Sequence, residues 1–95
     1  MKFVTRVEYE EFKKPIQFGF NWKDWLNDDA IASSTWTVPG NLANDGETIG
    51  DTTTSIFLSG GALGTIHKIE NQVVTVAGTQ LAATIIIEVM ALQRI

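Results

Sequence analysis

The stretch TIHKIENQVVTVAGTQLAATIIIEVMAL, from Thr65 to Leu92, decides the fold. Its first half, Thr65–Val76, alternates Ile69 and Val73 with Lys68, Glu70 and Gln72, which is the two-residue period of a half-buried strand. Its second half, Gln80–Leu92, is a long run rich in isoleucine and valine. The short Ala77-Gly78-Thr79 connection supplies a glycine where a three-residue hairpin loop needs a left-handed residue. Together the two halves predict an antiparallel hairpin. If Ile85, Ile87 and Val89 face a core, then Ile86 and Met90 stand on the opposite face beside Glu88. Apolar positions there mean either a contact surface or a strand buried on both faces.

Upstream of the hairpin the same period recurs. Thr52–Leu58 (TTTSIFL) reads as a strand, and so does Ile31–Val38 (IASSTWTV), with Trp36 and Val38 on one face and Pro39-Gly40 at its end. Asn41–Asp51 shows little periodicity and reads as a connection. Ile16, Phe18 and Phe20 alternate with Gln17 and Gly19, so Pro15–Phe20 reads as a strand. Between them, Trp22, Trp25 and Leu26 have the spacing of one helical turn, closed by Asn27-Asp28-Asp29. No window of eleven residues carries a 3.6-residue period. The expectation is an all-β sandwich with Trp36, Val38, Ile69, Val73, Ile85, Ile87 and Val89 in its core.

The charges divide the chain. Residues 1–14 hold seven of the 18 charged residues, whereas residues 15–95 hold three basic and eight acidic ones. The first segment alternates Phe3, Val7 and Tyr9 with Lys2, Arg6, Glu8 and Glu10, and Pro15 then bars a central strand position. It reads as an extended docking arm over 1–14, with Phe3, Val7, Tyr9 and Phe12 as its contact residues and 15–95 as the folded body. An arm of this kind adds a strand to a neighbour or lies in its groove.

Composition narrows the function. Ninety-five residues make one domain, and the absence of cysteine excludes thiolate metal sites and thiol nucleophiles. Leu81–Ile87 is too short for a membrane helix, and Met1–Arg6 has no secretory signal core. A net charge of −4 argues against a nucleic-acid partner. His67 is the one histidine, and Ser33, Ser34, Ser55 and Ser59 lie in no nucleophile elbow, so no catalytic residue is assigned. His67 reads as a partly buried side chain with a backbone partner. Asn44, Asp45, Glu47 and Asp51 lack the calcium-loop spacing, and Asp28-Asp29 are adjacent rather than paired across a cleft. Gly60-Gly61 and Gly64 lack the Lys-Ser/Thr end of a phosphate loop and read as a corner between strands. No metal and no cofactor is expected. Trp22 and Trp25 are candidates for stacking on sugar rings, or with Trp36 they close one end of the core.

Four segments stand in a recognisable order: Asn21-Trp22-Lys23-Asp24-Trp25-Leu26, then Ile31-Ala32-Ser33-Ser34-Thr35-Trp36-Thr37-Val38, then Ile56-Phe57-Leu58-Ser59-Gly60-Gly61-Ala62-Leu63-Gly64-Thr65, and Ile69-Glu70-Asn71 before Gly78. From Trp22 to Gly78 the chain resembles small tailed-phage virion proteins of the fibre–tail adaptor type. Phe57 stands where that family usually has tryptophan and His67 where it usually has tyrosine, and the 1–14 arm has no counterpart. The resemblance implies an immunoglobulin-like β-sandwich and a non-enzymatic structural part in a virion assembled in the host cytoplasm. The implied role is an adaptor joining tail or head–tail proteins to fibres or neighbouring subunits. Its partners would be other phage structural proteins, with several copies in a symmetric homo-oligomer. A capsid decoration protein, and a glycan- or receptor-binding module using Trp22 and Trp25, are the alternatives.

Overall fold

The computed structural model describes residues 2–91; Met1 and the expected end of the last strand at Leu92 lie outside them. Seven strands form two packed sheets: β1 (Lys2–Glu8), β2 (Ile16–Asn21), β3 (Ile31–Thr37), β4 (Ala43–Ile49), β5 (Thr53–Ser59), β6 (Ile66–Thr75) and β7 (Gln80–Met90). One sheet has the order β1-β7-β6-β3 and the other β2-β5-β4. Every pair is antiparallel except β1 with β7, which run parallel from Lys2↔Thr84 to Glu8↔Met90. Consecutive strands pass between sheets at four places, β1–β2, β2–β3, β3–β4 and β5–β6, giving the immunoglobulin-like arrangement.

Local sequence explains most of these elements. The β6–β7 hairpin turns where expected: Gly78 has φ +93°, its N–H donates to Thr75 O at 2.9 Å, and Thr75 N–H donates to Thr79 O at 2.9 Å. A helical turn, α1 (Lys23–Leu26), buries Leu26, and Asn27 and Asp28 adopt left-handed backbone to end it. The core gathers residues from both sheets: Trp36, Ile69, Val73, Ile85, Ile87 and Val89 are buried together with Phe20, Trp22, Ile56 and Leu58, and Val38 is half-buried against them.

Two expectations need correction. Ala43–Ile49, read as a connection, is a full strand paired with β5 through Asn44↔Leu58 and Glu47↔Ile56. All seven of its residues are exposed, so no apolar alternation marks it; main-chain pairing, with side-chain bonds between Asp45 and Ser59 and between Thr48 and Ser55, makes it a strand. The second correction concerns the arm. Residues 2–8 are extended, but they form the edge strand of the four-stranded sheet rather than a free extension. A short 3-10 turn at Glu11–Lys13 follows and drives Phe12 into the interior at 0% exposure. Pro15 comes just before β2, where its missing N–H costs no ladder bond. The expected boundary at residue 14 falls between the 3-10 turn and β2, and residues on both sides of it pack into one core.

Candidate functional site

On one flank of the sandwich the edge strands are β1 and β2. Tyr9 N–H donates to Met90 O at 2.8 Å. The two-residue repeat of a strand then turns the main-chain groups of Phe3, Thr5 and Val7 toward β7 and those of Lys2, Val4, Arg6 and Glu8 toward solvent. Between the two edges runs a groove of about 360 Å³ lined by Phe3, Phe18, Phe20, Trp25 and Ile85. The aromatic rings form a continuous series from surface to core. Phe3 lies 5.6 Å from Phe20, which is stacked on Trp36 at 5.8 Å and lies 5.6 Å from Trp22. Phe3 and Trp25, 48% and 50% exposed, leave this flank apolar and open.

The predicted arm contacts divide. Phe3 is at the surface, whereas Val7 and Phe12 are core residues and Tyr9 is half-buried against the core, so Val7 and Phe12 are corrected from docking contacts to packing. The cause is visible at Gly61. A Cβ there would lie 2.9 Å from Phe12 Cε2 and 2.8 Å from Val89 Cγ2, so glycine makes the space the Phe12 ring fills. Gly60 N–H donates to Phe12 O at 2.7 Å, and Gly64 N–H to Val89 O at 2.9 Å. The glycine-rich corner is thus a clasp over the N-terminal segment. Nothing in the sequence pairs Gly61 with Phe12, forty-nine positions away, which is why the extended segment reads as free.

On the outer face of the same sheet, Ile86 and Met90 are half-buried on either side of Glu88. Arg6 Nε meets Glu88 Oε2 at 3.1 Å, and exposed Val4 and Ile66 extend the apolar positions across β1 and β6.

The two-tryptophan sugar platform does not form. Trp22 is 1% exposed, and its indole N–H donates to Thr54 Oγ1 at 3.0 Å. The Thr54 hydroxyl donates to Asn71 Oδ1 at 2.6 Å, and the Asn71 amide donates to Ser34 Oγ at 2.8 Å and Thr35 O at 3.2 Å. This buried chain ties α1 and both sheets together, and every link is satisfied. The Trp36 indole N–H is buried and has no partner among the described residues.

His67 is 3% exposed, with Nε2 2.7 Å from Thr65 Oγ1. Its expected backbone partner is replaced by this hydroxyl, which itself bonds Ala62 O. Burial pushes the His67 pKa down. The acidic residues near β4 serve the edge: Asp45 accepts from Ser59 and Glu47 from Asn44. Asp29 accepts from the N–H groups of Ala30 and Ala77. A hydrogen bond from Thr75, with help from those amides, holds its carboxyl below the usual range. Among the described residues no group of three or more metal-ligating side chains gathers, and no helix is long and apolar enough to cross a membrane.

Comparisons with known proteins agree with this architecture. The PKD domain from the KIAA 1837 protein superposes with a TM-score of 0.58 at 10% identity, over 98% of this chain and 85% of that one. A 2,6-sialyltransferase of Photobacterium sp. JT-ISH-224 superposes equally, TM-score 0.58 at 6% identity, over 96% of this chain. This chain spans only 18% of the sialyltransferase, and the likeness is one of fold. None of the curated proteins compared with the chain matches it. Residues 13–88 match the family described as podophage GP4 fiber-tail adaptor protein gp77. That match spans β2 through most of β7, including the tryptophan turn and the glycine clasp, and the chain belongs to this family of phage structural adaptors.

Proposed function

We propose that this protein is a non-enzymatic adaptor of the virion, joining tail or head–tail proteins to fibres or neighbouring subunits, with several copies in a symmetric assembly. The single observation that carries the reading is the family match over residues 13–88. The surface supports it: an adaptor needs contact area rather than a reactive cleft, and here the apolar groove and the unpaired β1 edge lie side by side on one flank. The inward side chains are committed to packing and to the Trp22–Thr54–Asn71 chain.

The test is genetic and structural. Particles assembled without this chain should keep a filled head and tail core but lack attached fibres, and supplying the chain should restore them. Fibres attached normally in its absence would refute the adaptor role. Copy number separates adaptor from decoration protein: tens or fewer per particle fit a joint, hundreds fit a coat on the head.

A further inference from the structure

The four sheet edges are not equally protected. β3 carries a bulge between Ile31 and Ser33, and β4 carries one between Asn44 and Gly46 beside exposed Asp45 and Glu47. β2 is preceded by Pro15 and contains Gly19. Bulges, charges and proline are devices that stop an edge from recruiting another strand. β1 carries charges too, Lys2, Arg6 and Glu8, but of both signs, and it has no bulge, proline or glycine; it is seven residues long, in unbroken register, and presents Val4 at 62% exposure.

We infer that the free edge of β1 pairs antiparallel with the β1 edge of a second copy of this chain, joining two four-stranded sheets into one. The sequence KFVTRVE is complementary to itself about Thr5. In that register Lys2 lies opposite Glu8 of the second copy, Phe3 opposite Val7, Val4 opposite Arg6, and Thr5 opposite Thr5. Opposite charges meet at both ends, apolar side chains meet on the inner face, and a threonine pair sits on the two-fold axis; each is a favourable cross-strand pair. The hydrogen bonding agrees independently. The residues whose main-chain groups face outward are Lys2, Val4, Arg6 and Glu8, and this register sets them against one another as bonded pairs. Shifting by one residue sets outward-facing groups against inward-facing ones. Shifting by two sets Lys2 against Arg6, or Arg6 against itself. Charge and hydrogen bonding therefore choose the same register, and the contact is isologous. Phe3, half exposed in the single chain, gains an apolar neighbour at the mouth of the groove.

This pairing deepens the oligomeric part of the proposed function, and its test uses the purified full chain so that the two can fail separately. Sedimentation over a range of concentrations should show a monomer–dimer equilibrium. Val4→Pro removes an outward N–H that the chain's own sheet does not use, and should weaken dimerisation about tenfold or more. Lys2→Glu or Glu8→Lys alone should weaken it too, whereas the two together should restore it. Circular dichroism checks that each variant folds, and the charge variants keep the test decisive if Val4→Pro does not. A full chain that stays monomeric at all concentrations overturns the inference and leaves the edge to an extended segment of another protein. A dimer indifferent to the folded Val4→Pro variant, or a double variant that fails to recover, overturns it as well. Loss of fibres from particles lacking the chain would still stand in any of these cases.

Discussion

At the flank formed by β3 and β4, both edges are bulged, β4 is exposed along its whole length with polar Asn44, Asp45, Glu47 and Thr48, and a satisfied chain of hydrogen bonds runs inward from Ser34 to Trp22. At the flank formed by β1 and β2 the interior is aromatic, the series of rings reaches the surface at Phe3, and a groove of about 360 Å³ stays open. One flank is closed by polar groups that satisfy one another; the other is closed only as far as Phe12 and then stops. Stability is shared by the two, but the second keeps exposed aromatic rings, Phe3 and Trp25, where the first exposes the single aliphatic Ile49. The lesson is that the same core can be sealed in two ways, and the way each side is sealed determines which side is available for contact.

The largest expected effect is at the Phe12 plug. Phe12→Ala removes a fully buried ring and should cost about 3–5 kcal/mol in denaturant-measured stability. Gly61→Ala forces a methyl against the same ring and should cost about 1–3 kcal/mol by overpacking. Because the two changes act on one volume, their combination should be less damaging than the sum of the singles. Strict additivity would break the clasp account. Removing residues 1–14 should unfold the domain for the same reason; a stable truncated domain would return the segment to the status of a detachable arm.

On the polar flank, Thr54→Val keeps the shape but leaves the Trp22 indole N–H and Asn71 Oδ1 without their shared hydroxyl. A loss of about 1–3 kcal/mol is expected, measured by the same unfolding experiment. A neutral result would mean that the chain of bonds is not what seals this side. The effect should be independent of Phe12→Ala, since the two sites share no partner.

How much of this could be read from the residues depends on what each strand buries. β6 and β7 alternate one buried and one outward residue over their whole length, so their period, turn and core residues were all legible. β4 buries nothing and left no signal. Lys2–Glu8 did carry the period of a strand, but a free extended arm and an edge strand write the same pattern; only the space at Gly61 distinguishes them, and that is a contact between distant positions. Trp22 and Trp25 stand three residues apart on one turn. Their spacing puts both on one face, yet Trp22, just before the turn, faces Thr54 and Trp25, within it, faces the groove. The candidate site was legible as apolar positions and an extended segment. Its location on one flank was not, because it is made by two edges that meet only in the folded sandwich.

His67 tests the interior of the sheet both flanks share. Its pKa is lowered by burial, so the folded state favours the neutral ring while the unfolded chain titrates near 6.5. The unfolded state then binds more protons on the acid side. Stability should be fully present above about pH 6.5 and fall as pH drops from there through the folded pKa, by at most about 1.4 kcal/mol per pH unit. His67→Gln should flatten that slope. Asp29 acts in a separate window: its lowered pKa gives stability that is present above the ordinary carboxylate range and is lost only at more acid pH. A slope that persists near neutrality in His67→Gln would show that another group carries it.

The smallest effect on folding is expected at Trp25, and that is what makes it informative about the open flank. Half of its surface is already in water, and its ring lines the groove without joining the closely spaced series from Phe3 to Trp36. The apolar area it hides is therefore limited, and Trp25→Ala should cost less than about 1.5 kcal/mol, against about 3–5 kcal/mol for Trp22→Ala in the core. The same substitution should weaken whatever contact the groove makes, because an exposed aromatic at the rim of an apolar cleft contributes most once a partner excludes water from it. Measured together, unfolding and particle incorporation should separate: near-native stability with reduced incorporation for Trp25→Ala, and a stability loss for Trp22→Ala. If Trp25→Ala instead destabilises as strongly as Trp22→Ala, the ring is structural, the groove is narrower than its lining implies, and the contrast between a sealed and an open flank fails.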